Sequence, residues 1–169
     1  MKLKSHILSL MVIVFTMYSC SSDSVDSVSD QELSVSLGVV NNYTYNQSEL
    51  ETMKLINDYR ASVGLSALKA INHISFKSEE HDMYMIANNV VNHDDFVARS
   101  ENIIKVLGAI KVGENVAYNY NTPDGVLKAW LASTGHKHNI EGDYTHFGLA
   151  IKINPENGRK YYTNIFAKI

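Results

Sequence analysis

The motif Gly113-Glu114-Asn115-Val116-Ala117, followed by Trp130-Leu131-Ala132-Ser133-Thr134-Gly135-His136, is the part of this chain that decides its fold. Downstream of the first motif, larger side chains alternate with smaller ones as far as Tyr120, and this period of two predicts a strand that opens at the motif. The second motif follows Thr122-Pro123, an N-cap and a first-turn proline, and therefore closes a helix. Glu114 is thus predicted at a strand start and His136 just past a helix end.

Two further helices are predicted before this stretch. The first opens with Ser48 and Glu51, which form a capping-box pattern ahead of apolar residues at helical spacing. The second begins with Asn72 as its N-cap and breaks at Asn88-Asn89. His93 comes just past that break and is the third titratable side chain of interest.

A third short helix and a hairpin complete the folded part. The helix carries Phe96, Ile103 and Leu107 and ends at Gly108. At the C-terminus, apolar and polar residues alternate on both sides of the turn 154–158, which predicts an antiparallel hairpin. About four helices with a small late antiparallel sheet make the predicted fold class α+β.

Length and charge limit the classes of function. A chain of 169 residues suits one domain with appendages, and its 45% hydrophobic content is ordinary for a globular core. The formal net charge of −3 disfavours a nucleic-acid partner and comes with no polybasic patch for anionic lipid.

The N-terminal segment predicts export and attachment to a membrane. Residues 1–19 carry two lysines and then an apolar run too short to span a bilayer, which is typical of a signal peptide. The single cysteine, Cys20, follows directly and resembles the acylated first residue of a bacterial lipoprotein; the alternative is ordinary signal cleavage with a leftover thiol. Residues 20–47 are rich in Ser, Asp and Asn and predict a solvated tether, with a short edge strand around 33–39 as the alternative.

Five sequence pieces, in this order, resemble the CAP superfamily of cysteine-rich secretory proteins, antigen 5 and pathogenesis-related protein 1, in its bacterial SCP-like branch. They are Leu55–Arg60 with Gly64-Leu65, His93, the Gly-Glu-Asn motif, the Trp-x-x-Ser-x-Gly-His motif, and Tyr144–Gly148. The resemblance covers the chain from about Leu50 onward and implies an α-β-α sandwich over a domain of residues 48–169. Eukaryotic members are cysteine-rich, whereas this domain contains no thiol.

The resemblance also implies a site. His93, Glu114 and His136 match family positions that line a central cleft, and Ser133 stands where many eukaryotic members have a second glutamate. Two imidazoles and a carboxylate suit a divalent metal with an open coordination position, so Zn²⁺ or Mg²⁺ is a candidate cofactor. The alternative is that these side chains hydrogen-bond one another and hold no ion.

Three functions remain open from the sequence. The leading hypothesis is a non-catalytic, extracytoplasmic binding module whose cleft holds a small or extended ligand, such as a lipid or cell-wall fragment. In this hypothesis the module is lipid-anchored through Cys20 to the cell envelope, at the outer membrane. One alternative is a metal-dependent hydrolase of envelope peptide or ester bonds with Glu114 as general base. The other is a structural or interaction protein with a vestigial cleft. The enzyme is the weaker hypothesis, because Ser133 beside His136 lacks a nucleophile elbow or oxyanion loop and the family has no agreed catalytic activity.

Aromatic residues on the predicted sheet have two interpretations. They are either the wall of an amphipathic ligand groove or cross-strand packing pairs, and packing is favoured. The rings concerned are Tyr118, Tyr120, Tyr144, Tyr161 and Tyr162, while Trp130 is predicted to dock its helix onto the sheet from within the core.

Overall fold

A computed structural model describes residues 38–169 of the chain. The predicted signal segment, Cys20 and most of the predicted tether lie outside these described residues. Within residues 38–169, no helix is both long and apolar enough to cross a membrane.

Five helices and four strands follow one another in the described part of the chain. The helices are α1 (Gln47–Ser62), α2 (Asn72–Asn88), α3 (Phe96–Leu107), α4 (Pro123–Ala132) and α5 (Thr134–Ile140). The strands are β1 (Lys69–Ala70), β2 (Lys111–Tyr118), β3 (His146–Ile153) and β4 (Lys160–Lys168). The α+β class is confirmed, with one helix more than expected.

The strands form a single mixed sheet in the order β1-β3-β4-β2. The predicted hairpin is confirmed, since β3 and β4 pair antiparallel, and β4 pairs antiparallel with β2 on its other side. The short β1 adds a parallel pairing to β3 that the sequence pattern did not predict. Consequently β4 lies inside the sheet and β2 lies at its edge.

Helices cover both faces of this sheet, and β4 divides the core between them because successive side chains of a strand point to opposite faces. On one face, residues of β4 pack with α1, α4 and α5; on the other they pack with α2 and α3. The first set includes Tyr162, Phe166, Ile56, Trp130 and Ile140, and the second includes Ile165, Ala167, Ile74 and Ile103. The layers are those of the expected sandwich.

The start of α1 differs from the prediction. Its capping box is Asn46 and Glu49, two residues before the predicted pair, and each of these residues accepts the other's backbone N–H. Glu49 is buried and also accepts hydrogen bonds from Tyr43 Oη at 3.0 Å and from the Ile151 amide at 2.9 Å. Long-range contacts with β3 therefore determine which residues cap α1. The local sequence pattern gives no sign of these contacts.

Residues before α1 contact the domain, although the sequence assigned them to the tether. The Val40 amide donates to His73 Nδ1 at 3.1 Å, and the Asn72 side chain donates to the Asn41 carbonyl at 2.6 Å. His73 is buried, so this segment is part of the folded unit. Asn72 itself is the first residue of α2 and not its cap.

Gly148 allows α2 to lie directly on β3. A Cβ atom at this position would come within 2.3 Å of the Ser75 amide nitrogen and 2.5 Å of the Ile74 carbonyl carbon. These are backbone atoms, which cannot rotate away from the added Cβ as a side chain could. The glycine in the Tyr144–Gly148 motif is therefore required by the close approach of a helix to a strand.

Candidate functional site

The site is built on β2, the edge strand of the sheet. The carbonyl oxygen of Glu114 accepts a hydrogen bond from Asn139 Nδ2 at 3.0 Å, and that of Val116 accepts one from Trp130 Nε1 at 3.1 Å. Both carbonyls thus face away from β4, toward α4 and α5. Side-chain donors hold these two helices against the free edge of the sheet.

A buried ion pair forms the centre of the site. Arg99 Nε donates to Glu114 Oε2 and Arg99 Nη2 donates to Oε1, both at 2.9 Å, and Arg99 Nη1 donates to the Asp94 carbonyl at 2.6 Å. The Glu114 side chain is 1% exposed and that of Arg99 is 10% exposed. Two parallel charge-assisted bonds fix the plane of the carboxylate.

His93 completes this cluster from the cleft side. Its Nδ1 lies 2.8 Å from Glu114 Oε1, while its ring is 52% exposed. A carboxylate at one ring nitrogen selects the tautomer with the proton on that nitrogen and fixes the orientation of the ring. We therefore assign Nε2 as the nitrogen that His93 offers to a ligand.

His81, on α2, supports the loop that carries His93. Its Nε2 lies 2.9 Å from the Asn92 carbonyl, and its ring stacks on that of Tyr84 at 5.9 Å between centroids. Burial lowers the pKa of His81. Tyr84 Oη also donates to Asp94 Oδ2 at 2.9 Å, so α2 anchors both neighbours of His93.

His136 approaches the same edge from α5. The Asn115 side chain donates to the His136 carbonyl at 3.0 Å, and it accepts from Asn139 Nδ2 at 2.9 Å. Burial lowers the pKa of His136, and a charge on His93 lowers it further.

The surface at His136 is concave. A groove of about 380 Å³ is lined by His136, Ser133, Trp130, Tyr118 and Tyr120, among others. His93 borders a second hollow of about 420 Å³ with Asp95, Phe96 and Glu101. His93 contacts Glu114 directly, whereas His136 lines a different hollow, with Ser133 beside it, and is linked to β2 through Asn115.

Residues 53–166 of the chain match the model of the cysteine-rich secretory protein (CAP) family. The chain belongs to this family. Among curated proteins, the uncharacterized membrane protein YlbC of Bacillus subtilis (strain 168) is 31% identical over 134 residues, which cover 72% of this chain and 34% of that protein. The chain therefore spans about a third of the length of this relative.

Solved structures share the fold of this CAP domain. An outer surface protein from Borrelia burgdorferi superposes with a TM-score of 0.66 at 17% identity, covering 76% of this chain and 98% of that one. An extracellular protein containing a SCP domain from Bacillus anthracis superposes with a TM-score of 0.63 at 20% identity, covering 76% and 45% respectively. At these identities the comparison establishes the fold.

The donor atoms of the CAP cleft fit a metal only in part. Within residues 38–169, no three His, Cys, Asp or Glu side chains are grouped so as to hold a metal ion. Both Glu114 oxygens are engaged by Arg99 and one also by His93, so Glu114 holds His93 in place and is not free to be a ligand itself. The remaining donors are the imidazoles of His93 and His136, a donor type that suits Zn²⁺. They suit Mg²⁺ poorly, since that ion prefers oxygen donors.

Arg99 is the site residue that sequence reasoning missed. It lies on the helical face that carries Phe96 and Ile103, at the spacing of an apolar stripe, and it is buried. An arginine at such a position requires a buried acceptor, because a lone charge there is strongly destabilising. A charged residue within the apolar stripe of this helix was therefore the sequence feature that could have identified Arg99.

The tyrosines divide between the two interpretations. Tyr144, Tyr161 and Tyr162 are buried, so packing is confirmed for them. Tyr118 and Tyr120 are half-buried and line the groove beside His136. Trp130 is buried as predicted.

Proposed function

We propose that this chain is an extracytoplasmic CAP-domain binding module whose cleft, at His93 and His136, holds a small or extended ligand and takes up a divalent metal, Zn²⁺. The observation that carries the proposal is the half-exposed His93 ring bound to a buried Glu114. A buried Arg–Glu pair is an inefficient way to stabilise a core, because desolvation offsets most of its attraction. It is an effective way to hold an imidazole in one orientation toward a cleft.

Attachment to the cell envelope through a lipidated Cys20, at the outer membrane, belongs to the same proposal. Its support is the short apolar run that ends just before Cys20 in the sequence. The similar protein of Borrelia burgdorferi is described as an outer surface protein and that of Bacillus anthracis as extracellular, which supports the extracytoplasmic part of this proposal.

The geometry favours binding over hydrolysis. To act as a general base, Glu114 would have to accept a proton from water in the cleft. Its carboxylate already accepts three hydrogen bonds, two of them from a guanidinium, and its side chain is almost fully buried. Proton transfer to it would disrupt the ion pair that holds the site together.

The test uses the histidine ring nitrogens as reporters. Zn²⁺ is titrated into the purified protein, ring nitrogen shifts are followed by NMR, and a panel of lipids and glycans is then added with and without the metal. We expect His93 Nε2 and the His136 ring to shift, and His93→Ala and His136→Ala each to weaken binding. His138→Ala is the matched control, since His138 is exposed on the same short helix as His136. Equal Zn²⁺ response in all three variants, with no ligand bound from the panel, would refute the proposal.

A further inference from the structure

We propose that the groove beside His136, hereafter the tyrosine groove, is a subsite for the sugar rings of an acidic glycan. It is lined by Tyr118, Tyr120, Trp130, Ser133 and His136. The inference rests on the proposed function, because the groove shares His136 with the cleft, and it specifies the class of ligand.

The size and position of the groove suit one segment of an extended ligand. Its volume of about 380 Å³ falls within the range of roughly 300–1,000 Å³ that is usual for small-ligand sites. It follows the outer edge of β2 and continues past the strand end to Tyr120.

The two tyrosine rings that line the groove are held from behind. Tyr118 packs edge-on against buried Tyr161 with ring centroids 4.8 Å apart, and Tyr120 packs against buried Tyr162 at 6.5 Å. Fixed aromatic rings with polar tips suit a ligand that has apolar C–H faces and hydroxyl edges. Pyranose rings have this character, and Ser133 and His136 supply hydrogen-bonding partners for their hydroxyl groups.

Two cations stand beside the tyrosines of the groove. Arg159 Nη1 donates to Tyr118 Oη at 2.8 Å, and the guanidinium lies over the Tyr118 ring, 5.9 Å from its centroid. Lys160 Nζ donates to the Asn121 carbonyl at 3.0 Å, directly after Tyr120. In a protein with a net charge of −3, this local excess of positive charge favours a ligand that carries carboxylates.

Two other ligand classes fit less well. A peptide that adds a strand to the edge of β2 needs free backbone carbonyls as well as amides, and the carbonyls of Glu114 and Val116 are already occupied by Asn139 and Trp130. An acyl chain would exclude water from Ser133 and His136 and would offer neither side chain a hydrogen bond. Leaving these polar groups without partners is unfavourable.

The test is calorimetry on the full chain with two defined oligosaccharides. One probe alternates N-acetylglucosamine with a lactyl-bearing, carboxylated N-acetylhexosamine; the other is neutral β-1,4-linked N-acetylglucosamine tetramer. We expect the acidic probe to bind more tightly, and Arg159→Met and Tyr120→Leu each to weaken it by about tenfold. Tyr118→Phe keeps the ring and should have a smaller effect. Arg159 is exposed, so its variant serves where a tyrosine variant fails to fold.

The outcomes separate this inference from the proposed function. Unchanged affinity for the acidic probe in Arg159→Met and Tyr120→Leu, or binding of neither oligosaccharide, overturns the glycan subsite. If His93→Ala and His136→Ala still lose Zn²⁺ in that case, the metal-binding cleft stands without it. Tighter binding of an unrelated extended peptide or of fatty-acid vesicles also overturns the inference.

Discussion

Replacement of Arg99 by methionine tests whether the buried ion pair organises the site. Methionine keeps an apolar side chain in the α3 stripe but removes two hydrogen bonds to Glu114 and one to the Asp94 carbonyl. The side chains of the pair are 10% and 1% exposed, so solvent cannot replace the lost partner. Removing one member of a buried pair destabilises a protein by about 3–5 kcal/mol, and we expect Arg99→Met to fall in this range.

The measurement is urea unfolding at equilibrium, with the slope checked to be that of the native protein. The double variant Arg99→Met/Glu114→Leu replaces both charges by apolar groups and should recover most of the loss, giving a coupling free energy of about 3 kcal/mol in the cycle. Lys54→Met is the matched control, since Lys54 and Asp58 form a surface pair with side chains 72% and 56% exposed. It should change stability by less than about 1 kcal/mol.

Two results would contradict this reasoning. One is an Arg99→Met variant no less stable than Lys54→Met. The other is additivity in the double-variant cycle, which would mean that Arg99 and Glu114 contribute independently. Either result would mean that the Arg99–Glu114 ion pair does not organise the site.

Three further predictions concern packing and titration. Gly148→Ala should lower stability by roughly 1–3 kcal/mol or more in thermal unfolding, because its Cβ meets the backbone of α2; Gly135→Ala, with no atom within 4 Å of the new Cβ, should leave the midpoint almost unchanged. The pKa of His136, measured by NMR, should lie below its ordinary value because of burial, and it should rise in part when His93→Ala removes the neighbouring charge; an unchanged pKa would show that the rings do not interact. Burial raises the pKa of Asp82 well above its ordinary value. The folded state therefore keeps a proton that the unfolded state releases, so the free energy of unfolding declines as pH rises above about 4. In Asp82→Asn that decline should be weaker, and parallel stability curves for the two proteins would contradict the assignment.

Local chemistry was sufficient to predict some elements from the sequence. Thr122 caps α4 as expected, with its hydroxyl accepting from the Gly125 amide at 3.1 Å. Gly108 ends α3 with a positive φ of 70°. The alternation around the turn 154–158 identified the hairpin. In each case the signal lies within a few residues of the feature that it predicts.

Elements whose formation depends on distant contacts were not predictable in this way. Helix α5 begins at Thr134-Gly135 and shows no apolar stripe, because the groups that hold it are Asn115 and Arg60 from other elements. Arg60 is buried and donates to the Ile140 carbonyl at 2.6 Å and to the Gly142 carbonyl at 3.1 Å. The two-residue strand β1 likewise exists through its pairing with β3.

The candidate site shows the same division. His93, Glu114 and His136 are far apart in sequence, and only the resemblance to the CAP family brought them together in the prediction. The structure adds Arg99 and Asn115, which determine how Glu114 and His136 are held. A contact between α3 and β2 has no local sequence pattern beyond one charged residue in an apolar stripe.

The position of β4 affects the order in which the sheet can form during synthesis. Strand β4 is an inner strand of the sheet, and both of its neighbours, β2 and β3, need it for their pairing. A nascent chain that lacks residues 160–168 cannot join the two halves of the sheet, so the native sheet forms only after β4 has been synthesised. A chain truncated before residue 160 therefore lacks a native core and is exposed to proteolysis.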